Sequence, residues 1–148
     1  MPSAGFVHLS LHSEYSLTDS VLRVGQVVDA VRAAGMPAVA VTDAGNLFAL
    51  VKFYKAAQAA GIKPIVGADV TLWEPGEPTA SRLVLLCQNH AGYVNLCRLL
   101  SRAYVEGQRA GRPGLQRDWL AEGDRVVIVT GPPDDLFGPA TSVTWREV

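Results

Sequence analysis

Several features that mark common protein classes are missing from this sequence. It has 13 lysines and arginines against 14 aspartates and glutamates. It therefore lacks the excess of positive charge by which nucleic-acid-binding proteins attract the phosphate backbone. No apolar run approaches the roughly 18 residues of a membrane span, and the N-terminus has no basic region followed by an apolar stretch. Phosphate-loop and nucleophile-elbow motifs are also absent. We therefore predict a cytoplasmic protein that contacts no membrane.

Cysteine is scarce as well. Cys87 and Cys97 are the only two cysteines, and they lack the Cys-x-x-Cys spacing of a metal or redox pair. Both lie in apolar segments, which favours buried free thiols over a disulfide. A reducing compartment fits this prediction.

The chain is long enough for one core, with 148 residues of which 49% are hydrophobic. Branched and apolar residues predict five strands: Phe6 to Leu11, Pro37 to Thr42, Pro64 to Leu72, Arg82 to Gln88 and Arg125 to Thr130. Apolar stripes at helical spacing predict three helices: Asp19-Ser20 to Ala34, Asn46 to Gly61 and Ala91 to Gly107. Helices between the first three strands require parallel crossovers and thus an α/β sheet or barrel.

The connection between the third and fourth strands is different. Residues 73–80 are too few and too rich in proline for a helix, which predicts an antiparallel hairpin. Residues 107–114 are predicted to form a loop, and residues 131–148 a tail with no clear pattern. Asp43 and Gly45 are predicted to cap and shape the turn before the second helix.

The first predicted strand carries a row of candidate metal ligands. Side chains alternate faces along a strand, so His8, Ser10 and His12 are predicted to point the same way. Histidines two residues apart on a strand can share a metal ion. Ser10, the middle member of this row, is a poor ligand beside imidazole. His8 could replace it only from about 7 Å away along the strand.

The stretch from Phe6 to Asp19, FVHLSLHSEYSLTD, is followed by AVTDAGNLF from Ala40, VKFY from Val51 and GIKPIVGAD from Gly61. Together these motifs closely resemble the N-terminal polymerase-and-histidinol-phosphatase (PHP) domain of bacterial DNA polymerase III alpha subunits. The resemblance runs from about residue 5 to residue 130. It implies a partial PHP domain over residues 1–130, the first part of a distorted seven-stranded, TIM-like β/α barrel.

The resemblance also implies a set of metal-ligand positions. Intact members hold up to three metal ions, and His12, Asp19 and Asp69 match ligands of that site. Four other positions carry non-ligands: Ser10, Ala44, Arg82 and Pro132. Asp19 also has an interpretation as a helix cap. We expect no metal in this chain, or at most weakly bound zinc or manganese, because Arg82 would place a fixed positive charge where a cation should sit.

The expected replacement is a structural polar cluster of His12, Asp19, Asp69 and Arg82, in which the guanidinium supplies the positive charge. The resemblance then implies a structural and partner-docking module in DNA replication, without catalytic residues of its own. Polymerisation, with its magnesium ions, would belong to downstream domains. The expected partners are the rest of the alpha subunit and the proofreading exonuclease subunit, with DNA bound only through the holoenzyme. Two alternatives are an active metal-dependent phosphoesterase and a truncated fragment without independent function.

Overall fold

The structure is a computed structural model that describes residues 5–121 and 126–130. The chain divides into two compact units, Met1–Ala68 and Asp69–Val148. The boundary falls within one strand, so each unit contains part of it. The predicted tail, residues 131–148, and the candidate position Pro132 lie outside the described residues, and the domain boundary at residue 130 stays a prediction.

The first unit alternates helices and strands, as predicted. After a 3-10 turn at Glu14–Ser16 come α1 (Val24–Ala33), β1 (Ala38–Ala44), α2 (Leu50–Ala59) and the start of β2 (Lys63–Trp73). The core consists of the valines of α1 and β1 packed against Phe53 and Ala57 of α2. Both helices stop at a predicted glycine with positive φ, +67° at Gly35 and +72° at Gly61, a conformation that other residues adopt only at a cost.

The predicted strand at residues 6–11 is wrong as a regular strand. His8 and Leu11 do accept hydrogen bonds from β1, through the Ala40 N–H at 2.9 Å and the Thr42 N–H at 2.8 Å. However, the two hydrogen bonds are three residues apart in this segment, from His8 to Leu11, but only two apart in β1, from Ala40 to Thr42. The segment therefore contains one extra residue, as in a β-bulge, which interrupts regular strand pairing. At the bulge, the Leu11 N–H donates to the Thr42 side-chain oxygen Oγ1 at 2.9 Å instead of to a backbone carbonyl. The regular alternation predicted for His8, Ser10 and His12 therefore does not extend through the whole row.

The predicted start of the first helix is also wrong. Helix α1 begins at Val24, with Arg23 as its N-cap. Asp19 and Ser20 instead bind His12, the first through its carboxylate at 2.7 Å and the second through its hydroxyl, which donates to the His12 carbonyl at 2.8 Å. These tertiary contacts compete with helix capping, because a short polar side chain can satisfy only one set of partners.

Asn46 does not cap the second helix, whose N-cap is Ala49. Its carbonyl oxygen accepts from the Phe48 N–H at 3.0 Å, while its amide donates to the carbonyls of Tyr15 and Ala44. This is an Asx turn before the helix rather than a cap of it. Gly45, with a φ of +64°, serves the turn that follows β1, as predicted.

The second unit is built on the rest of β2. Its strands run in the order β2, β3 (Ser81–Cys87), β5 (Val126–Thr130), and β4 (Leu115–Gln116) pairs in parallel with the end of β2. Strands β3 and β5 are antiparallel. Helix α3 (His90–Val105) packs on β3, and the short helix α4 (Arg117–Ala121) follows β4. The sequence predicted β2, β3, α3 and β5 to within two residues at each end and missed β4 and α4.

No helix among the described residues is long and apolar enough to cross a membrane.

Candidate functional site

Arg82 and Asp69 form a two-pronged ion pair on neighbouring strands. Arg82 Nε donates to Asp69 Oδ1 at 3.3 Å, and Arg82 Nη2 donates to Asp69 Oδ2. The Asp69 side chain is only 8% exposed, whereas the Arg82 side chain is 61% exposed. Strand β2 fixes the buried carboxylate, and the guanidinium reaches it from the surface. Such a fork-to-carboxylate arrangement satisfies both oxygens of Asp69 and neutralises its charge.

His12 and Asp19 form the corresponding pair in the first unit. His12 Nδ1 lies 2.7 Å from Asp19 Oδ2, and the histidine side chain is 16% exposed. The Ser20 hydroxyl fixes the His12 backbone from the same segment. The imidazole nitrogen that faces Asp19 is therefore engaged by a carboxylate within its own loop.

The remaining candidate positions do not form a ligand set. Ser10 is exposed, and Ala44 ends β1 with its N–H donating to Ser16 Oγ at 3.1 Å. His8 is exposed and packs edge-on against the Phe6 ring, with centroids 4.7 Å apart. Within residues 5–121 and 126–130, no group of three or more histidine, cysteine, aspartate or glutamate side chains is placed to hold one metal ion.

Asp43 has a role that the sequence did not reveal. Its side chain is buried, with the residue only 2% exposed. Oδ1 accepts from the Ser13 N–H at 2.6 Å and the Ser16 hydroxyl at 2.8 Å, and Oδ2 accepts from the Ser13 hydroxyl at 2.8 Å. The prediction that Asp43 caps the turn before α2 is therefore wrong. Asp43 holds the 3-10 turn next to His12. The only signal of this in the sequence was the three-residue spacing of Ser10, Ser13 and Ser16, which offers polar partners for a buried carboxylate.

The two cysteines are half-buried free thiols rather than fully buried ones. Burial, with a smaller contribution from Cys97, raises the pKa of Cys87 from 9.0 to about 12. The thiol is thus less acidic than an ordinary one, because a thiolate would lose its solvation.

We expect Cys87 in the folded chain to resist alkylation by iodoacetamide at pH 9, since the reactive thiolate forms only near pH 12. Unfolding in guanidinium should remove this protection and speed its alkylation by about two to three orders of magnitude. Mass spectrometry of timed samples measures the rate. The Cys97→Ser variant isolates Cys87, and equal rates in folded and unfolded chain would contradict the expectation.

Comparison with known proteins places these residues in a family. The PHP domain model matches residues 8–141. The chain belongs to the PHP domain family. Two relatives named DNA polymerase III subunit alpha, from Pseudomonas aeruginosa and Pseudomonas fluorescens, are 53% and 51% identical over 85% of this chain. A third of the same name, from Escherichia coli K12, is 43% identical over 88% of it.

This PHP domain matches only part of those relatives. It spans 11% of the length of each Pseudomonas protein and 12% of the Escherichia coli protein. Among solved structures, an amidohydrolase from Chromobacterium violaceum aligns with 68% of this chain and 34% of its own, at 21% identity and a TM-score of 0.48.

Proposed function

We propose that this PHP domain is the N-terminal part of a DNA polymerase III alpha subunit and serves DNA replication as a structural and partner-docking module. The names of relatives that are 43% to 53% identical support this assignment. The chain spans only 11% to 12% of the length of those relatives, which supports assigning polymerisation, and the magnesium it needs, to the rest of the subunit. The rest of that subunit is the first expected partner, and the proofreading exonuclease subunit is the second. In this role the protein belongs in the cytoplasm.

The observation that carries the proposal is the Asp69–Arg82 ion pair. Among the positions that the PHP resemblance assigns to metal ligands, Arg82 stands in place of a histidine and binds the one ligand carboxylate that is buried. A permanent guanidinium charge at that spot repels a divalent cation and occupies the oxygens it would need. The residues present do not fit the metal cluster of intact members.

Of the predicted polar cluster, the structure contains two ion pairs, His12–Asp19 in the first unit and Asp69–Arg82 in the second. Their assembly into one cluster stays a prediction. We propose that each pair balances charge within its own unit, at positions where intact members carry metal ligands. Within the wider fold, the seven-stranded barrel and the antiparallel arrangement of β2 and β3 remain parts of this proposal. The Asp69–Arg82 pair would link β2 to β3 without catalysing a reaction.

An active phosphoesterase is the rival from another class, and a fragment with no function of its own is a third possibility. The phosphoesterase would need a bound metal to activate water. The described residues contain no group of three or more histidine, cysteine, aspartate or glutamate side chains placed to hold that metal.

Metal content distinguishes the structural module from the phosphoesterase. We expect elemental mass spectrometry of the full chain, purified without chelators or affinity metals, to find less than stoichiometric zinc and manganese. Phosphoesterase turnover should be absent with either metal added. Stoichiometric metal together with turnover that His12→Ala abolishes would overturn the proposal.

A gain-of-binding variant tests the same site in the other direction. Histidine at three of the four lost positions, S10H/A44H/R82H, should tighten zinc binding by roughly tenfold or more, because imidazole is a good zinc ligand and the repelling charge is gone. Zinc should then raise the melting temperature of this variant, since a metal that binds only the folded state stabilises it.

The matched control places the same three substitutions on exposed helix positions, R32H/A91H/S101H. It should gain no more than the affinity of scattered surface histidines. Equal zinc affinity of the two triple variants would show that these positions do not converge on one former site.

A further inference from the structure

The loop between α3 and β4 is a tight hairpin rather than an irregular connection. Arg109 and Arg112 exchange both backbone hydrogen bonds, each 3.0 Å long, and the Gly114 N–H donates to the Gly107 carbonyl at 3.1 Å. The two residues between them, Ala110 and Gly111, have φ values of +49° and +76°. Positive φ at both central positions is the requirement of a type I′ turn, the two-residue turn whose twist matches a hairpin.

The base of the hairpin is fixed to β2. The Trp73 indole N–H donates to the Gly107 carbonyl at 2.9 Å. A Cβ at Gly107 would lie 1.9 Å from the Gly114 carbonyl oxygen, and a Cβ at Gly114 would lie 2.2 Å from the Trp73 indole nitrogen. Only glycine fits both positions, so the hairpin is held against the tryptophan in one geometry.

This rigid hairpin displays two arginines side by side. Residues that exchange both hydrogen bonds lie directly opposite, with Cα atoms about 5.5 Å apart and side chains on one face. The Arg109 guanidinium lies 5.2 Å from the Trp73 ring centroid. Both arginines are exposed, and within residues 5–121 and 126–130 neither has a carboxylate in ion-pair range.

Like charges directly opposite on a hairpin oppose folding. A left-handed alanine at the turn adds a second cost, because its Cβ crowds the backbone. Three other arginines of this unit are each paired with a carboxylate, which shows that the chain can neutralise a guanidinium charge. These pairs are Arg82 with Asp69, Arg102 with Glu106 and Arg117 with Glu74. Two arginines without a carboxylate partner among the described residues, held on a rigid support, suit an external anion.

We propose that Arg109 and Arg112 form an anion clamp for the phosphodiester backbone of nucleic acid. Two guanidinium forks match phosphate oxygens and need no base contacts. The tip, residues 109–112, carries no large apolar side chain, whereas a protein interface is anchored by buried aromatic or aliphatic groups. The choice of nucleic acid over another anion rests on the proposed function. It differs from the expectation, implied by the resemblance, that DNA is bound only through the holoenzyme.

The test is fluorescence anisotropy of a labelled 20-base-pair duplex with the full 148-residue chain at several sodium chloride concentrations. R109Q/R112Q should weaken binding at 50 mM salt by at least about tenfold. The slope of log K against log salt should become shallower by about 1.8, since each neutralised phosphate contributes about 0.9. The control R32Q/R98Q removes the same charge from two exposed helix positions and should change affinity by less than about twofold.

R112E provides a readout that does not depend on loss of folding. It should raise the melting temperature by about 2 °C, because a cross-strand ion pair replaces a repulsion, while weakening DNA binding at least as much as R112Q. A lower melting temperature with R112E, equal effects of the two double variants, or a chain that binds poly-glutamate but not DNA would each overturn the inference.

The two proposals fail separately. A chain that holds stoichiometric metal and hydrolyses phosphate esters, yet loses DNA binding in R109Q/R112Q, contradicts the proposed function alone. A metal-free, inactive chain whose DNA binding ignores these arginines contradicts the clamp alone.

Discussion

Replacing Asp43 by alanine is expected to lower the free energy of unfolding by about 3 to 4 kcal/mol, because three buried donors lose a charged acceptor. Those donors are the Ser13 N–H and the hydroxyls of Ser13 and Ser16. For a chain of this size, the melting temperature should fall by roughly 10 °C. Urea denaturation followed by circular dichroism measures the free energy directly.

Two companion variants make this prediction specific. Asp43→Asn keeps one oxygen acceptor and should cost about half as much. Asp29→Ala removes an aspartate from an exposed position of α1 and should stay within about 0.5 kcal/mol of the parent. If Asp43→Ala were as mild as Asp29→Ala, the network around the 3-10 turn would contribute nothing to folding.

Replacing Gly107 by alanine is expected to destabilise the chain by about 3 kcal/mol, since a core that is already full must move to admit a methyl group. The new Cβ would lie 1.9 Å from the Gly114 carbonyl oxygen and 3.0 Å from the Ala103 carbonyl oxygen. Both are backbone atoms, which cannot swing aside as a flexible side chain can. Thermal and urea denaturation give the change in stability.

The same substitution at Gly25 is the control. No atom lies within 4 Å of a Cβ at this position in α1, and alanine is the better helix former. Gly25→Ala should therefore raise the unfolding free energy by about 0.5 kcal/mol. Two glycine-to-alanine changes of opposite sign would establish the close packing at the hairpin base; a neutral result at Gly107 would mean that the hairpin is not held against α3 and Trp73.

Much of the secondary structure could be predicted, and the failures have a common cause. Strands β1 to β3 and helix α3 follow from runs and stripes of apolar residues. Such patterns can be read because they involve only residues close together in the sequence. Asp19 and Asn46 also have good local signals for helix caps, yet neither caps a helix. Asp19 binds the His12 imidazole seven residues earlier in the same loop, and Asn46 donates to the Tyr15 carbonyl 31 residues earlier. Neither partner forms part of a helix-cap pattern.

The candidate site divides in the same way. The pairing of Asp69 with Arg82 could be expected, because a short connection between two strands brings their ends together. Asp43 was assigned to the wrong turn because its serine partners lie about 30 positions earlier in the chain. The arginine hairpin had only a weak signal, since Ala-Gly is a poorer type I′ pair than Asn-Gly or Asp-Gly.

The sequence by itself determined the α/β alternation, the helix stops at Gly35 and Gly61 and membership of the PHP family, because apolar periodicity, glycine conformation and motif spacing are carried by neighbouring residues. The tertiary structure alone decided other polar contacts: Asp43 with the serine turn, and Trp73 with the hairpin that aligns Arg109 and Arg112. A hydrogen bond or ion pair is made over about 3 Å of space, and only the folded chain sets which residues lie that close.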